Sequence, residues 1–237
     1  MSRLAVSGRQ VIAIYMYSPS GSTASTSISQ TLSNTSDSTV KTRIDAWYKE
    51  NIIDTGYSNF VSDNIFCNDR EISKDPSKDS NNNYNSYNFT TLGYGKNPTL
   101  YKTYSRLGYA FSTRYPVFTC TQKSDAFTVS DTSVGNGKLK YPVGLITADE
   151  VTAAGSMSWS SNNSYYLRTG KNYYTMSPWY YHLSMSGAIM YFVSASGELS
   201  FETITTSLGV LPVINLSQEY ISKMVGEGTK DSPYRLK

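Results

Sequence analysis

The stretch Tyr-Pro-Val-Gly-Leu-Ile-Thr-Ala-Asp-Glu-Val-Thr-Ala-Ala-Gly, Tyr141 to Gly155, decides how the fold is read. Pro142 precedes a short apolar run, Val143 to Ile146, fit for a buried strand. Thr147 then meets the requirements of a helix N-cap, because its hydroxyl can accept from a free N–H of the first turn. Glu150, three residues on, can reach back to the cap's own N–H and complete a capping box. Ala148, Val151, Ala153 and Ala154 suit a short helix, and Gly155 can end it in a left-handed conformation.

Working outward, Ser156 to Leu183 is crowded with rings: Trp159, Tyr165, Tyr166, Tyr173, Tyr174, Trp179, Tyr180 and Tyr181, with Asn162, Asn163, Asn172 and serines between them. It reads as an irregular segment held between better-defined elements. Ile189 to Val193 reads as a strand, Ser194 to Gly197 as a tight turn and Glu198 to Ile204 as the returning strand. Gly209 to Leu216 (Gly-Val-Leu-Pro-Val-Ile-Asn-Leu) closes this half, with a last apolar strand from Val210 and Pro212 near its start. Upstream, Gln10 to Tyr17 is a candidate first strand. Ser36 or Asp37 can cap a helix running to about Glu50, in which Val40, Ile44, Trp47 and Tyr48 form a stripe of helical period for packing on a sheet. Ser73 to Gly95 is a polar insertion with Asn81-Asn82-Asn83. Gly135-Asn136-Gly137 marks a turn, and Glu219 to Val225 a short helix before a polar tail. The 237 residues fit one domain, 1–237, carrying an insertion at about 73–95.

Tyr141 to Glu150, Tyr-Tyr-Thr-Met-Ser-Pro (Tyr173 to Pro178) and Gly209 to Leu216 together resemble a family of uncharacterised gut-bacterial surface proteins. The resemblance extends to Ser38 to Tyr48, Ile65 to Arg70, Asp125 to Phe127 and the tail Gly226 to Tyr234. That family is similar to the C-type-lectin-like fold shared with the variable proteins of diversity-generating retroelements. The resemblance implies an α+β, C-type-lectin-like domain: two main helices packed on short antiparallel strands with long irregular loops. It also implies extracellular or cell-surface display, and it carries no catalytic residues. A diversified segment at Ser156 to Leu183 is a further reading, since mutagenesis of Asn codons yields Asn, Ser, Tyr and Asp.

Composition narrows the function classes. A net charge of +3 without a Lys/Arg run does not point to nucleic acid. No stretch approaches the roughly 20 apolar residues that cross a membrane, and Met1 to Tyr17, interrupted by Arg9 and Gln10, is a poor signal peptide. The start reads as a fragment boundary or as a chain exported by another route. Twenty-one tyrosines among abundant Ser, Thr, Asn and Gly fit a surface that binds through aromatic faces and short polar groups. They fit half-buried strands equally well.

Tests for chemistry narrow the choice further. Cys67 and Cys120 are the only cysteines and His182 the only histidine, too few for a zinc site. The cysteines leave three readings: a disulfide, two free thiols or one reactive thiol. For a displayed module the disulfide is favoured, and closing its loop of roughly fifty residues is worth about 4 kcal/mol on the chain-entropy estimate. His182 lies in Tyr180-Tyr181-His182-Leu183, with no nucleophile elbow around it. No carboxylate pair is singled out for glycoside hydrolysis, so a glycan-acting hydrolase is the minor alternative to a non-enzyme. Calcium-lectin motifs are missing: Lys96 precedes Asn97-Pro98 where a carboxylate would be needed. The expectation is no metal and no cofactor.

The reading that results is an extracellular module recognising a glycan or a protein on another surface, without nucleic acid and without membrane insertion by this chain. Its ligand-binding candidates are Trp159, Tyr165, Tyr166, Tyr173, Trp179 and Tyr180, with Tyr174 and Met176 expected to point inward. Some of these rings should reach solvent, because the segment offers too few apolar neighbours to bury them all. The rival is a second small core. At the level of function, the rival is a structural or spacer domain of a surface or phage-tail assembly. Sequence fixes neither the ligand nor the oligomeric state.

Overall fold

A computed structural model describes residues 27, 29, 32–35, 37–73, 99–108, 115–182, 187–227, 231, 232 and 234–236. The expected strand at Gln10 to Tyr17 and the polar insertion beyond Ser73 lie outside the described residues. In chain order the elements are α1 (Thr39–Tyr48), β1 (Val61–Ser62), β2 (Phe66–Cys67), β3 (Thr99–Leu100), α2 (Lys102–Leu107) and β4 (Ala126–Phe127). Then come α3 (Ala148–Ala153), β5 (Tyr173–His182), β6 (Gly187–Val193), β7 (Leu199–Thr203), β8 (Asn215–Leu216), α4 (Gln218–Ile221), β9 (Met224–Val225) and β10 (Arg235–Leu236). The architecture is mixed α and β with antiparallel pairing. β3, β5, β6 and β7 form a four-stranded sheet in that order, and β1 with β8, β2 with β4 and β9 with β10 form two-stranded ribbons.

The two expected helices form, but the cap of the first is Ser38 and not the expected Ser36 or Asp37. Ser38 caps α1, its hydroxyl accepting from the Lys41 N–H at 3.0 Å, and Val40, Ile44 and Tyr48 bury one face. A turn of π-helix, Lys49–Ile53, extends it. At α3, Thr147 Oγ1 accepts from the Glu150 N–H at 3.1 Å, and Glu150 Oε2 accepts from the Thr147 N–H at 2.7 Å. Gly155 follows at φ +99°. Ser177 of β5 accepts from the Ala148 N–H at 2.9 Å, which fixes the start of α3 on the sheet.

Both faces of the sheet are covered. Tyr174, Met176, Tyr181, Met190 and Phe192 face one core together with Val40, Ile44 and Tyr48 of α1. Tyr173, Tyr191, Val193 and Leu199 face a second core with Leu107 of α2 and Ala148 and Val151 of α3.

Three sequence expectations need correction. Ser156 to Leu183 is not irregular throughout, because Tyr173–His182 is a ten-residue strand in the middle of the sheet. A proline there lacks a ladder donor, and the β5–β6 register shifts on both sides of Pro178, which accommodates it as a bulge. Val210 to Leu216 is not one strand. Gly209 bridges Tyr173, Val213 bridges Gly144, and Asn215–Leu216 pair with Val61–Ser62, so the chain changes partner on either side of Pro212. Val210 is buried and Leu211 to Leu216 are half-buried. Val143 to Ile146 is not a strand: it contributes the Ile146 carbonyl, which accepts from the Met176 N–H at 2.9 Å, and the bridge at Gly144, where a Cβ would come within 2.4 Å of Phe66 Cδ1. Glycine permits this close crossing. Cys67 and Cys120 are joined by a disulfide, with Cα atoms 5.5 Å apart.

Candidate functional site

The bulge at Pro178 changes what the sheet presents. Residues 179 and 180 of a regular strand would point to opposite faces. Here the rings of Trp179 and Tyr180 lie 5.3 Å apart, edge to face at 74°. Phe201 sits opposite Tyr191 in the β6–β7 register, and Trp179 stacks on it at 3.9 Å with planes 3° apart. Tyr104 of α2 meets Trp179 edge-on at 5.2 Å, and Trp159 meets Phe201 edge-on at 5.9 Å. The result is a strip of rings, Tyr104–Trp179–Phe201–Trp159, that starts on α2, crosses the sheet and ends on the turn before the segment's first polar run. Tyr104, Trp179, Tyr180 and Phe201 are half-buried, and Trp159 is 60 % exposed.

Trp159 occupies an unusual backbone position. A bridge between Met157 and Ser160 places Ser158 and Trp159 at the tip of a tight turn, and Trp159 has φ +63°. For a residue with a Cβ this region costs on the order of 1 kcal/mol or more, and it persists only where the surroundings impose it. The surroundings are identifiable. The Leu199 N–H donates to the Met157 carbonyl at 3.1 Å, and the Ser158 hydroxyl donates to the Leu107 carbonyl at 3.0 Å. The turn is therefore tied to β7 on one side and to the end of α2 on the other.

The six candidate residues separate. Trp159, Trp179 and Tyr180 come together, joined by Tyr104 and Phe201, which local sequence patterns do not single out. Tyr165 and Tyr173 are corrected: both are buried in the second core, with Leu107, Val151 and Leu199. The Tyr173 hydroxyl donates to the Leu167 carbonyl at 3.2 Å, and burial pushes its pKa up to about 12. Neither ring is available to a ligand. Tyr166 is 60 % exposed and packs on Tyr165, with ring centroids 5.8 Å apart. Tyr174 and Met176 are buried. Three polar residues of the segment tie it to the end of α3 and to the β6–β7 turn. Asn162 Nδ2 donates to the Gly155 carbonyl, Asn172 Oδ1 accepts from the Ala195 N–H, and the Ser156 hydroxyl donates to the Gly197 carbonyl. These groups fix the scaffold instead of facing a ligand.

Beneath α2 lies a charged cluster without a local sequence signature, because its members are far apart in the chain. Arg106 makes a two-pronged contact with Asp149, Nε to Oδ1 at 2.7 Å and Nη2 to Oδ2 at 2.6 Å, and Nη2 also meets Asp69. Burial works against the charge on Arg106, but the hydrogen bonds and charges of Asp149 and Asp69 outweigh it and raise its pKa. Burial raises the pKa of Asp69, with nearby Asp149 and Asp125 acting in the same direction against Arg106. A second buried pair joins Arg70 Nε to Asp125 Oδ1 at 2.7 Å. Asp149, in the first turn of α3, thus fixes α2 to α3. Among the described residues, no group of three or more His, Cys, Asp or Glu side chains is placed to hold a metal ion, and no helix is long and apolar enough to cross a membrane.

No family model, curated protein or solved structure matches the chain.

Proposed function

We propose that this chain is a non-catalytic binding module, displayed extracellularly on a C-type-lectin-like scaffold. It recognises a glycan or a protein on another surface through the Tyr104–Trp179–Phe201–Trp159 strip. The observation that carries the reading is Trp159: a large ring left 60 % exposed at positive φ, in a turn tied to two separate elements. Burial does not account for such a position, because most of the ring is in water. A ring already ordered loses little conformational entropy when a ligand covers it. Phe201 and Trp179, stacked on each other beside it, supply an apolar floor. A sugar ring, with C–H groups on its face and hydroxyls on its rim, suits an exposed aromatic ring bordered by other rings.

The test is an array of immobilised glycans and cell-surface preparations probed with the wild-type chain and with Trp159→Ala. Capture by the wild type that falls at least tenfold in the variant supports the assignment. Capture that survives the substitution removes the strip from the site. A folded protein that captures nothing favours the structural or spacer reading.

A further inference from the structure

The segment Tyr115–Thr121 has no regular secondary structure and shows two apolar rings to solvent, Tyr115 at 56 % and Phe118 at 68 % exposure. Among the described residues, three polar or covalent links tie it to the body. The Val117 N–H donates to Asp149 Oδ1 at 2.9 Å. The Thr121 hydroxyl donates to Glu71 Oε2 at 2.6 Å. Cys120 is bonded to Cys67.

The body side of these links is nearly one row of residues. Cys67 holds the segment covalently, Asp69 reaches Asp149 through Arg106, and Glu71 holds Thr121. The same row positions α2: Glu71 pairs with Lys102 Nζ at 2.5 Å, and its carbonyl accepts from the Lys102 N–H at 2.8 Å. α2 in turn carries Tyr104 of the strip, and its Leu107 carbonyl anchors the turn under Trp159. The row has anchors of its own in the β2–β4 ribbon and the Arg70–Asp125 pair. Among the described residues, the segment itself has no strand pairing and no ion pair. Without the disulfide it keeps, among the described residues, two hydrogen bonds to carboxylates, for which water competes.

We propose that the Cys67–Cys120 disulfide is a redox latch on this segment. Reduction by a dithiol releases Tyr115–Thr121, lets water reach the Asp69–Arg106–Asp149 cluster, and loosens the end of α2 that supports the aromatic strip. The dithiol's two sulfurs join as a disulfide, and its two electrons and two protons leave Cys67 and Cys120 as thiols. Both cysteines are half-buried, so an attacking thiolate has a route to the bond. The latch is independent of what the strip binds; only its effect on capture rests on the reading above.

The experiment compares hydrogen exchange and the near-ultraviolet circular dichroism of the oxidised chain with those of the chain held in excess dithiol. Thiol counting confirms that reduction is complete. On reduction, exchange at the Val117 amide should accelerate by about tenfold or more while amides of β6 keep their protection. The aromatic dichroism of the strip should shift. Unchanged exchange at Val117 overturns the latch. General loss of protection through β6 also overturns it, because the disulfide would then hold the whole fold. Faster exchange at Val117 with an unchanged aromatic spectrum overturns the coupling to the strip. The double variant Cys67→Ser/Cys120→Ser should match the reduced protein, and a variant indistinguishable from the oxidised chain refutes the proposal. None of these readouts needs a ligand, so failure to capture a glycan bears on the strip alone.

Discussion

Replacing Trp159 by Gly and by Ala separates the ring from its backbone, and the structure sets the expected sizes. The ring is 60 % exposed, so about two-fifths of its surface is covered, and at about 25 cal/mol per Å² this is worth roughly 2 kcal/mol. Its edge contact with Phe201 adds about 1 kcal/mol. Both substitutions lose these terms. They differ at φ +63°, where Ala keeps a strain of about 1–2 kcal/mol and Gly has none. The greater freedom of Gly in the unfolded chain offsets roughly half of that gain. Trp159→Ala should therefore lose about 3 kcal/mol, and Trp159→Gly roughly 0.5–1 kcal/mol less. Urea unfolding followed by far-ultraviolet circular dichroism measures the difference at equal denaturant slopes. An Ala variant as stable as the Gly variant would mean that the turn is not held at positive φ, and the argument for a preformed ring would fail. Both variants should lose capture, since neither keeps an aromatic face.

Two further predictions follow from burial and from charge. Tyr165→Ala and Tyr173→Ala should each lose about 3–5 kcal/mol in the same unfolding assay, whereas Tyr166→Ala should change stability by less than about 1 kcal/mol; comparable losses at all three would mean that the segment is core throughout. Asp63 accepts from the N–H groups of Val129, Ser130 and Asp131 at 2.7, 2.7 and 3.1 Å. Burial alone would raise its pKa, but these donors outweigh it and hold the carboxyl below its ordinary value. A depressed folded pKa gives stability that is present above the unfolded value and lost as pH falls through the folded one. Asp63→Asn should cost about 2 kcal/mol at pH 7, and the gap to the wild type should close in acid; a gap independent of pH would refute this account.

Where information was local, the sequence by itself determined the structure. The capping box at Thr147 and Glu150, the α1 stripe and the β6–β7 hairpin each depend on residues within a few positions of one another, and each forms. Tyr174 and Met176 point inward as expected, but so does Tyr173, because both faces of β5 are covered. Tertiary structure decided which of the crowded rings are exposed. Tyr165 and Tyr173 are chemically indistinguishable from Tyr166 in sequence, but the second core takes the first two and leaves the third exposed. Pro178 sits in a central strand because a bulge, visible only in the pairing with β6, accommodates it and brings Trp179 and Tyr180 side by side. Arg106 meets Asp69 and Asp149, and Phe201 meets Trp179, across separations that leave no periodic trace. Register and burial are properties of the assembled sheet. A pattern confined to one segment therefore specifies a helix or a hairpin, whereas the binding surface depends on which segments are brought into contact.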